Sequence, residues 1–360
     1  MGPGPSNIDP RVLQAMSRPI IGHLDPQFIG LMDEIKKLLR YAYQTENSLT
    51  FPVSAPGSAG MESCFANLVE QGDKVLVCIN GVFGNRMKEN VFRCGGEAVI
   101  VEDDWGSPVS TEKVEEALIA HPDIKIVAFV HAETSTGVCS DAAAISKLAQ
   151  AHDCLTILDC VTSLAGIPVL IDKWGIDAAY SGSQKCLSCP PGLSPVTFSS
   201  RAVDKIRNRN TPVQSWFLDL SLVMDYWSGD GARSYHHTAP VNSMYALHES
   251  LLLLSEEGLE NSWKRHKIRH QELKTGFEKL GLVFMVEEPY RLPQMNSVII
   301  PESLGFRESE IRKTLLEEYN LEIGSGLGAL AGKIWRVGLM GFGASEENIH
   351  KCISALKQVL

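Results

Sequence analysis

The chain has 360 residues, 44% of them hydrophobic and 21% charged, with a formal net charge of −10. That length buries a large core and fits roughly two or three domains. The negative balance, with residues 264–269 as its densest basic cluster, argues against a nucleic-acid partner, and no apolar stretch reaches the length of a membrane span.

The opening Gly2-Pro-Gly-Pro-Ser-Asn7 reads as part of an extended arm over residues 1–20, because proline fixes φ and removes a donor. Beyond it, strand-like runs alternate with helical patterns. Residues 74–79, 98–101, 125–130 and 155–158 are apolar with little alternation, as strands buried on both faces are. Ser110 can cap a helix running to His121. Residues 141–152 carry Ile145, Leu148 and Ala149 at helical spacing. The alternation predicts a large α/β domain over residues 21–245, built on a mostly parallel sheet. Two long helical stretches follow, at 242–256 and 260–279. Apolar runs at 282–286 and 297–300 and a last helix from Glu346 then predict a smaller α+β domain over residues 246–360.

The chemistry centres on Ser181-Gly182-Ser183-Gln184-Lys185, downstream of an apolar run that ends in Asp159. A lysine in a small-residue loop, paired with an acid at a strand end, points to pyridoxal 5′-phosphate (PLP). The amine holds the cofactor covalently, and the carboxylate keeps the pyridine nitrogen protonated so that the ring draws electrons. Gly57-Ser58-Ala-Gly-Met-Glu62 has the small residues of a phosphate cradle at a helix start, although Pro56 removes one N–H donor there. The nine cysteines lack framework spacing and read as free thiols of a reducing compartment. Cys186-Leu-Ser-Cys189 has no second pair to complete a zinc site, and His236-His237 has no nearby acid or cysteine motif. No metal is expected.

Several further motifs occur in order: Ile21-Gly-His-Leu-Asp-Pro26, Asn80-Gly81, Phe83-Gly84, His131-Ala-Glu-Thr-Ser-Thr-Gly137, Tyr235-His-His-Thr238, Arg291-Leu-Pro293 and Trp335-Arg-Val-Gly-Leu-Met-Gly341. Together with the lysine loop they resemble the alanine–glyoxylate and serine–pyruvate aminotransferases, class V aminotransferases of the fold-type I PLP enzymes. The resemblance runs along nearly the whole chain. It implies Lys185 as the cofactor lysine and proton carrier, Asp159 as the partner of the ring nitrogen, and Gly57, Ser58 and Gln184 as phosphate contacts. It further implies Phe83 stacked on the ring, Thr134 near its O3′ and Arg336 as the clamp for the substrate carboxylate. Tyr235 and Thr238 would reach the cofactor of a neighbouring subunit, so the active sites would be shared across a homodimer.

Because the cofactor apparatus is common to many reactions, it does not choose the substrate. Gly22-His23 resembles the alanine–glyoxylate group, whereas kynurenine-type relatives carry Ser-Asn near this position. Gly22 is therefore expected to line a tight pocket for a small donor. The expected activity is transfer of the amino group of alanine or serine to glyoxylate or pyruvate, in the cytoplasm, the default location for a chain with no signal peptide or peroxisomal address. Kynurenine, phosphonate or pyridoxamine donors are alternatives. A class V lyase such as a cysteine desulfurase needs a mobile cysteine, and Cys352 is the only one after Cys189.

Overall fold

The computed structural model describes residues 1–227 and 233–360. In chain order the first strands are β1 (Leu49–Val53), β2 (Lys74–Ile79), β3 (Glu97–Glu102), β4 (Ile124–Val130), β5 (Ala132–Glu133), β6 (Val138–Cys139), β7 (Leu155–Asp159), β8 (Ala178–Tyr180) and β9 (Ser194–Phe198). Seven of them form one sheet in the order β1-β9-β8-β7-β4-β2-β3, and β5 and β6 make a separate hairpin. Neighbours from β8 to β3 run parallel, while β9 and β1 add an antiparallel edge.

Parallel strands need crossovers, and helices Gly57–Leu68, Val82–Arg93, Thr111–Ala120 and Ala142–Ala151 supply them. Ser110 caps the third, its hydroxyl accepting the Lys113 N–H at 3.2 Å; Asp141 caps the fourth by accepting the Ala144 N–H at 3.0 Å. The apolar runs at β2, β4 and β7 are buried on both faces, which places their carboxyl ends, Asp159 among them, along one edge of the sheet.

Three strands of the sheet lack a sequence signal. β8 has three residues, and β1 and β9 each contain a proline, Pro52 and Pro195, which face each other in register. Proline donates no ladder hydrogen bond and so argues locally against a strand. The expected arm also differs: residues Pro10–Met16 form a helix with Asp9 as its cap. Arg11 ties that helix to Glu249 and Glu256 of the long helix Val241–Glu257.

The second sheet contains β10 (Val283–Phe284), β11 (Met295–Ile299), β12 (Gly324–Ser325) and β13 (Ile334–Gly338), antiparallel in the order β10-β11-β13-β12. Helices Glu308–Tyr319 and Glu346–Val359 close its core through Ile311, Leu315, Ile349 and Leu356. Helix Leu259–Lys279 belongs to both halves: Leu259 packs in the first core, Leu273 and Phe277 in the second. Among the described residues no helix is long and apolar enough to cross a membrane.

Candidate active site

The lysine loop leaves the end of β8 and is pinned along its length. Ser181 N–H donates to Pro195 O (2.8 Å), Ser183 N–H to Leu193 O (3.0 Å), and the Ser183 hydroxyl to Pro190 O (2.6 Å). The N-terminal segment holds it from the other side. Ser6 donates its N–H to Gln184 O (2.8 Å) and its hydroxyl to Lys185 O (2.7 Å), and the Lys185 ammonium donates to Pro3 O. Gly4 sits at φ +103°, and a Cβ there would lie 2.7 Å from Lys185 Nζ, so only glycine fits both demands. Burial, helped by the Arg336 guanidinium, pushes the Lys185 pKa down to about 8, against the pull of Cys186 and Asp159.

Asp159 closes β7 beside Tyr180 of β8, its register partner. The Tyr180 hydroxyl donates to Oδ2 at 2.7 Å, and the Val161 N–H donates to Oδ1 at 2.9 Å. The side chain is buried, and burial pushes its pKa up to about 6, while those donors and Lys185 oppose the rise. Thr134 follows β5 and shares a hydrogen bond of 2.6 Å with Thr162 across their hydroxyls. Arg336 lies at the centre of β13, flanked by Ser297 of β11 and Gly324 of β12. Its Nε donates to Ser325 O (2.8 Å) and its Nη1 to Thr134 O (3.3 Å), using two of the guanidinium's five N–H donors. Burial lowers its pKa, and Glu133 counters that.

Gly57 opens helix Gly57–Leu68 after Pro56, which caps it without a side-chain hydrogen bond. The helix start packs against the lysine loop: a Cβ on Gly57 would lie 3.4 Å from Ser181 O and 3.5 Å from Gly182 Cα. Ser58 is exposed there, and the buried Oε1 of Gln184 has no hydrogen-bond partner among the described residues. Phe83 stands in the first turn of helix Val82–Arg93, half-buried against the main core, with the Arg86 guanidinium 4.8 Å from its ring centre. Cys352 is buried on helix Glu346–Val359, where burial pushes its thiol up to about 12, so no mobile nucleophile stands there.

One group of expected residues lies in a second cluster. Tyr235 is 59% exposed; its hydroxyl is 3.3 Å from Thr238 Oγ1 and its ring 5.0 Å from that of His23. The close wall expected at Gly22 is not formed by its own chain. A Cβ there would meet no described atom within 4 Å, because the Gly22–Asp25 turn lies at the surface. The neighbouring His237 links this segment to the strand before the phosphate cradle, its Nε2 lying 2.7 Å from Ser54 Oγ. Tyr180, Thr162 and Glu133 complete the main group and were not expected from their sequence surroundings. Only Tyr180 carries a signal, its place immediately before the lysine loop.

A lysine with a depressed pKa, a buried acid at a parallel strand end and a buried arginine thus meet on elements from both halves of the molecule. The Aminotransferase class-V family profile matches residues 2–342. This chain belongs to that family. As a class V aminotransferase it is 41% identical to the alanine–glyoxylate aminotransferase of Oryctolagus cuniculus, over 100% of this chain and 92% of the relative. A solved alanine–glyoxylate aminotransferase from Nostoc sp. is similar at 48% identity and TM-score 0.97, covering 100% of this chain and 94% of that one. The ureidoglycine–glyoxylate aminotransferase structure from Bacillus subtilis is similar at 39% identity and TM-score 0.97, covering 100% and 92%.

The fold is the fold-type I PLP architecture, and the family's cofactor is PLP. The residues present fit it. Lys185 offers an amine that loses its proton easily, and Asp159 is a buried carboxylate suited to a protonated pyridine nitrogen. For the phosphate there is a helix N-terminus beside Gly182. The unpaired end of the Gln184 amide, whose oxygen and nitrogen are interchangeable by rotation, supplies a further polar group.

Proposed function

We propose that this class V aminotransferase moves the amino group of alanine or serine to glyoxylate or pyruvate in two half-reactions. The carrying observation is that Pro3 lies between the Lys185 amine and Arg336: its carbonyl accepts from the Lys185 amine, and its ring packs on Gly324, the register partner of Arg336. A substrate whose carboxylate is held at Arg336 would then present its α-carbon on the side of the lysine.

PLP supplies an aldehyde that takes up an amine and a ring that draws electrons from the bond to the α-hydrogen. Arg336 binds the α-carboxylate and sets the orientation of that bond. Lys185, neutral above about pH 8, accepts the α-proton and delivers it to the cofactor's exocyclic carbon. Asp159 keeps the ring nitrogen protonated, and Tyr180 and Val161 keep Asp159 in place. Phe83 would flank the ring, Thr134 would meet its O3′ side, and Gly57, Ser58 and Gln184 would hold the phosphate. The donor leaves as its 2-oxo acid, and glyoxylate or pyruvate then takes the amine by the same steps reversed.

The N-terminal segment supports a small donor. Met1 O accepts the Gly338 N–H at 2.7 Å and Pro3 O accepts from Lys185, so residues 1–4 run between β13 and the lysine and leave little depth there. The working form proposed is a homodimer in which the Tyr235–Thr238 cluster serves the partner's phosphate, supported by the exposure of Tyr235. Nine unpaired cysteines support a reducing, cytoplasmic setting.

Adding single amino acids to the PLP-loaded protein tests the donor. Alanine or serine should bleach the cofactor's visible band, and glyoxylate should restore it. No bleaching by any small donor sinks this reading and redirects the search to larger amines such as ureidoglycine.

A further inference from the structure

Glu133 takes no part in the chemistry above, yet it is fully buried and every hydrogen-bond neighbour of its carboxylate is a donor. Oε1 accepts the Ser135 N–H at 3.0 Å and the Ser135 hydroxyl at 2.5 Å; Oε2 accepts the Phe83 N–H at 3.2 Å. The Ser135 hydroxyl in turn accepts the Val82 N–H at 3.1 Å. Val82 and Phe83 are the first residues of helix Val82–Arg93, whose N-cap is Gly81 and which has no side-chain cap of its own. Glu133 fills that place from another strand, since a Cβ on Gly81 would collide with its carboxyl group. The next residue, Thr134, accepts from Arg336 through its carbonyl.

We infer that Glu133 is a positioning residue, whose ionised carboxylate caps the turn that carries Phe83 and so fixes the ring-stacking wall in register with the Arg336 clamp. The donor-only shell is the reason. An amide must turn its NH2 toward the Phe83 N–H or the Ser135 N–H, and a donor facing a donor is an unmade hydrogen bond; a protonated carboxyl gives up one acceptor site and the charge that strengthens all three bonds. The charged groups that act on the site are Arg336 from β13 and Asp159 from β7, with Arg86 on the capped helix itself. Burial pushes the Glu133 pKa up to about 7, and the Ser135 and Phe83 donors hold it down. Raising the pH through that value completes the cap, and lowering it releases the turn.

The test is PLP affinity of the full-length protein, stripped of cofactor and titrated between about pH 6 and 9. Glu133→Gln is expected to weaken PLP about tenfold at pH 8 and to abolish the inflection near pH 7. The unmade hydrogen bond should also lower the melting temperature of the cofactor-free Glu133→Gln protein, so melting alone does not separate the two roles. Ser135→Ala keeps the charge and loses a donor, so its inflection should move upward. Its readout stands by itself if Glu133→Gln does not fold. A purely structural role predicts the lower melting temperature alone, with PLP affinity and pH profile unmoved. That pattern, or a Ser135→Ala inflection at the wild-type pH, overturns the inference.

Discussion

The role proposed for Lys185 needs a neutral amine, to attack an aldehyde or take a proton, and its surroundings bring that within reach of neutral pH. Burial and Arg336 move its pKa down to about 8. The neutral fraction grows as pH rises through that value. Uptake of PLP by the cofactor-free protein should therefore accelerate about tenfold per pH unit below the pKa and level off above it. Stopped-flow absorbance would read this directly. Arg336→Gln removes the positive neighbour and should shift the midpoint upward; a midpoint that stays put would show that burial alone sets it. Asp159 illustrates the same logic with the opposite sign. Burial raises it to about 6, and the Tyr180 and Val161 donors keep it from rising further.

Helix Gly57–Leu68 works through its positive end. With Pro56 before it and no capping side chain, the helix leaves the Gly57 and Ser58 N–H groups for a phosphate, while the Ala59 N–H donates to Pro56 O at 2.7 Å. Ser58→Asp should separate the two things a helix start can do. The new carboxylate favours the helix dipole and holds or raises the melting temperature of the cofactor-free protein. It also competes with the phosphate, and PLP affinity should fall by about a hundredfold. An unchanged affinity measured by fluorescence titration would remove Ser58 from the cradle. Packing explains why the helix sits where it does. Gly60 lies against Ser194 and Tyr180, so any side chain there would push the helix start off the lysine loop.

At the scale of the whole molecule, the two cores meet along helix Leu259–Lys279, and the candidate active site lies where Arg336 of β13 in one half donates to Thr134, after β5, in the other. Tyr235 and Thr238 stand outside this group in a single chain. If they serve a partner's cofactor, mixing two inactive proteins should restore activity. Lys185→Ala and Thr238→Glu chains, unfolded and refolded together, would give one intact site in each mixed dimer. Random pairing then yields roughly a quarter of wild-type turnover. No recovery, with mixed dimers present by mass spectrometry, would mean that each chain completes its own site.

The sequence by itself determined what local chemistry can write. Apolar runs bounded by turns mark β2, β4 and β7, an acid closing the third of these marks Asp159, and a small-residue loop marks Lys185. These signals need only neighbours in the chain. Tertiary structure alone decided the rest, because the partners lie far apart in sequence. β1 and β9 pair through opposed prolines that locally read against strands, and the supposed arm gains a helix because Arg11 finds Glu249 and Glu256. Glu133 looks like any acid in its motif until the fold brings Gly81, Val82 and Phe83 against it. Burial then does what no motif records: it turns an ordinary carboxylate into one whose charge depends on the donors around it.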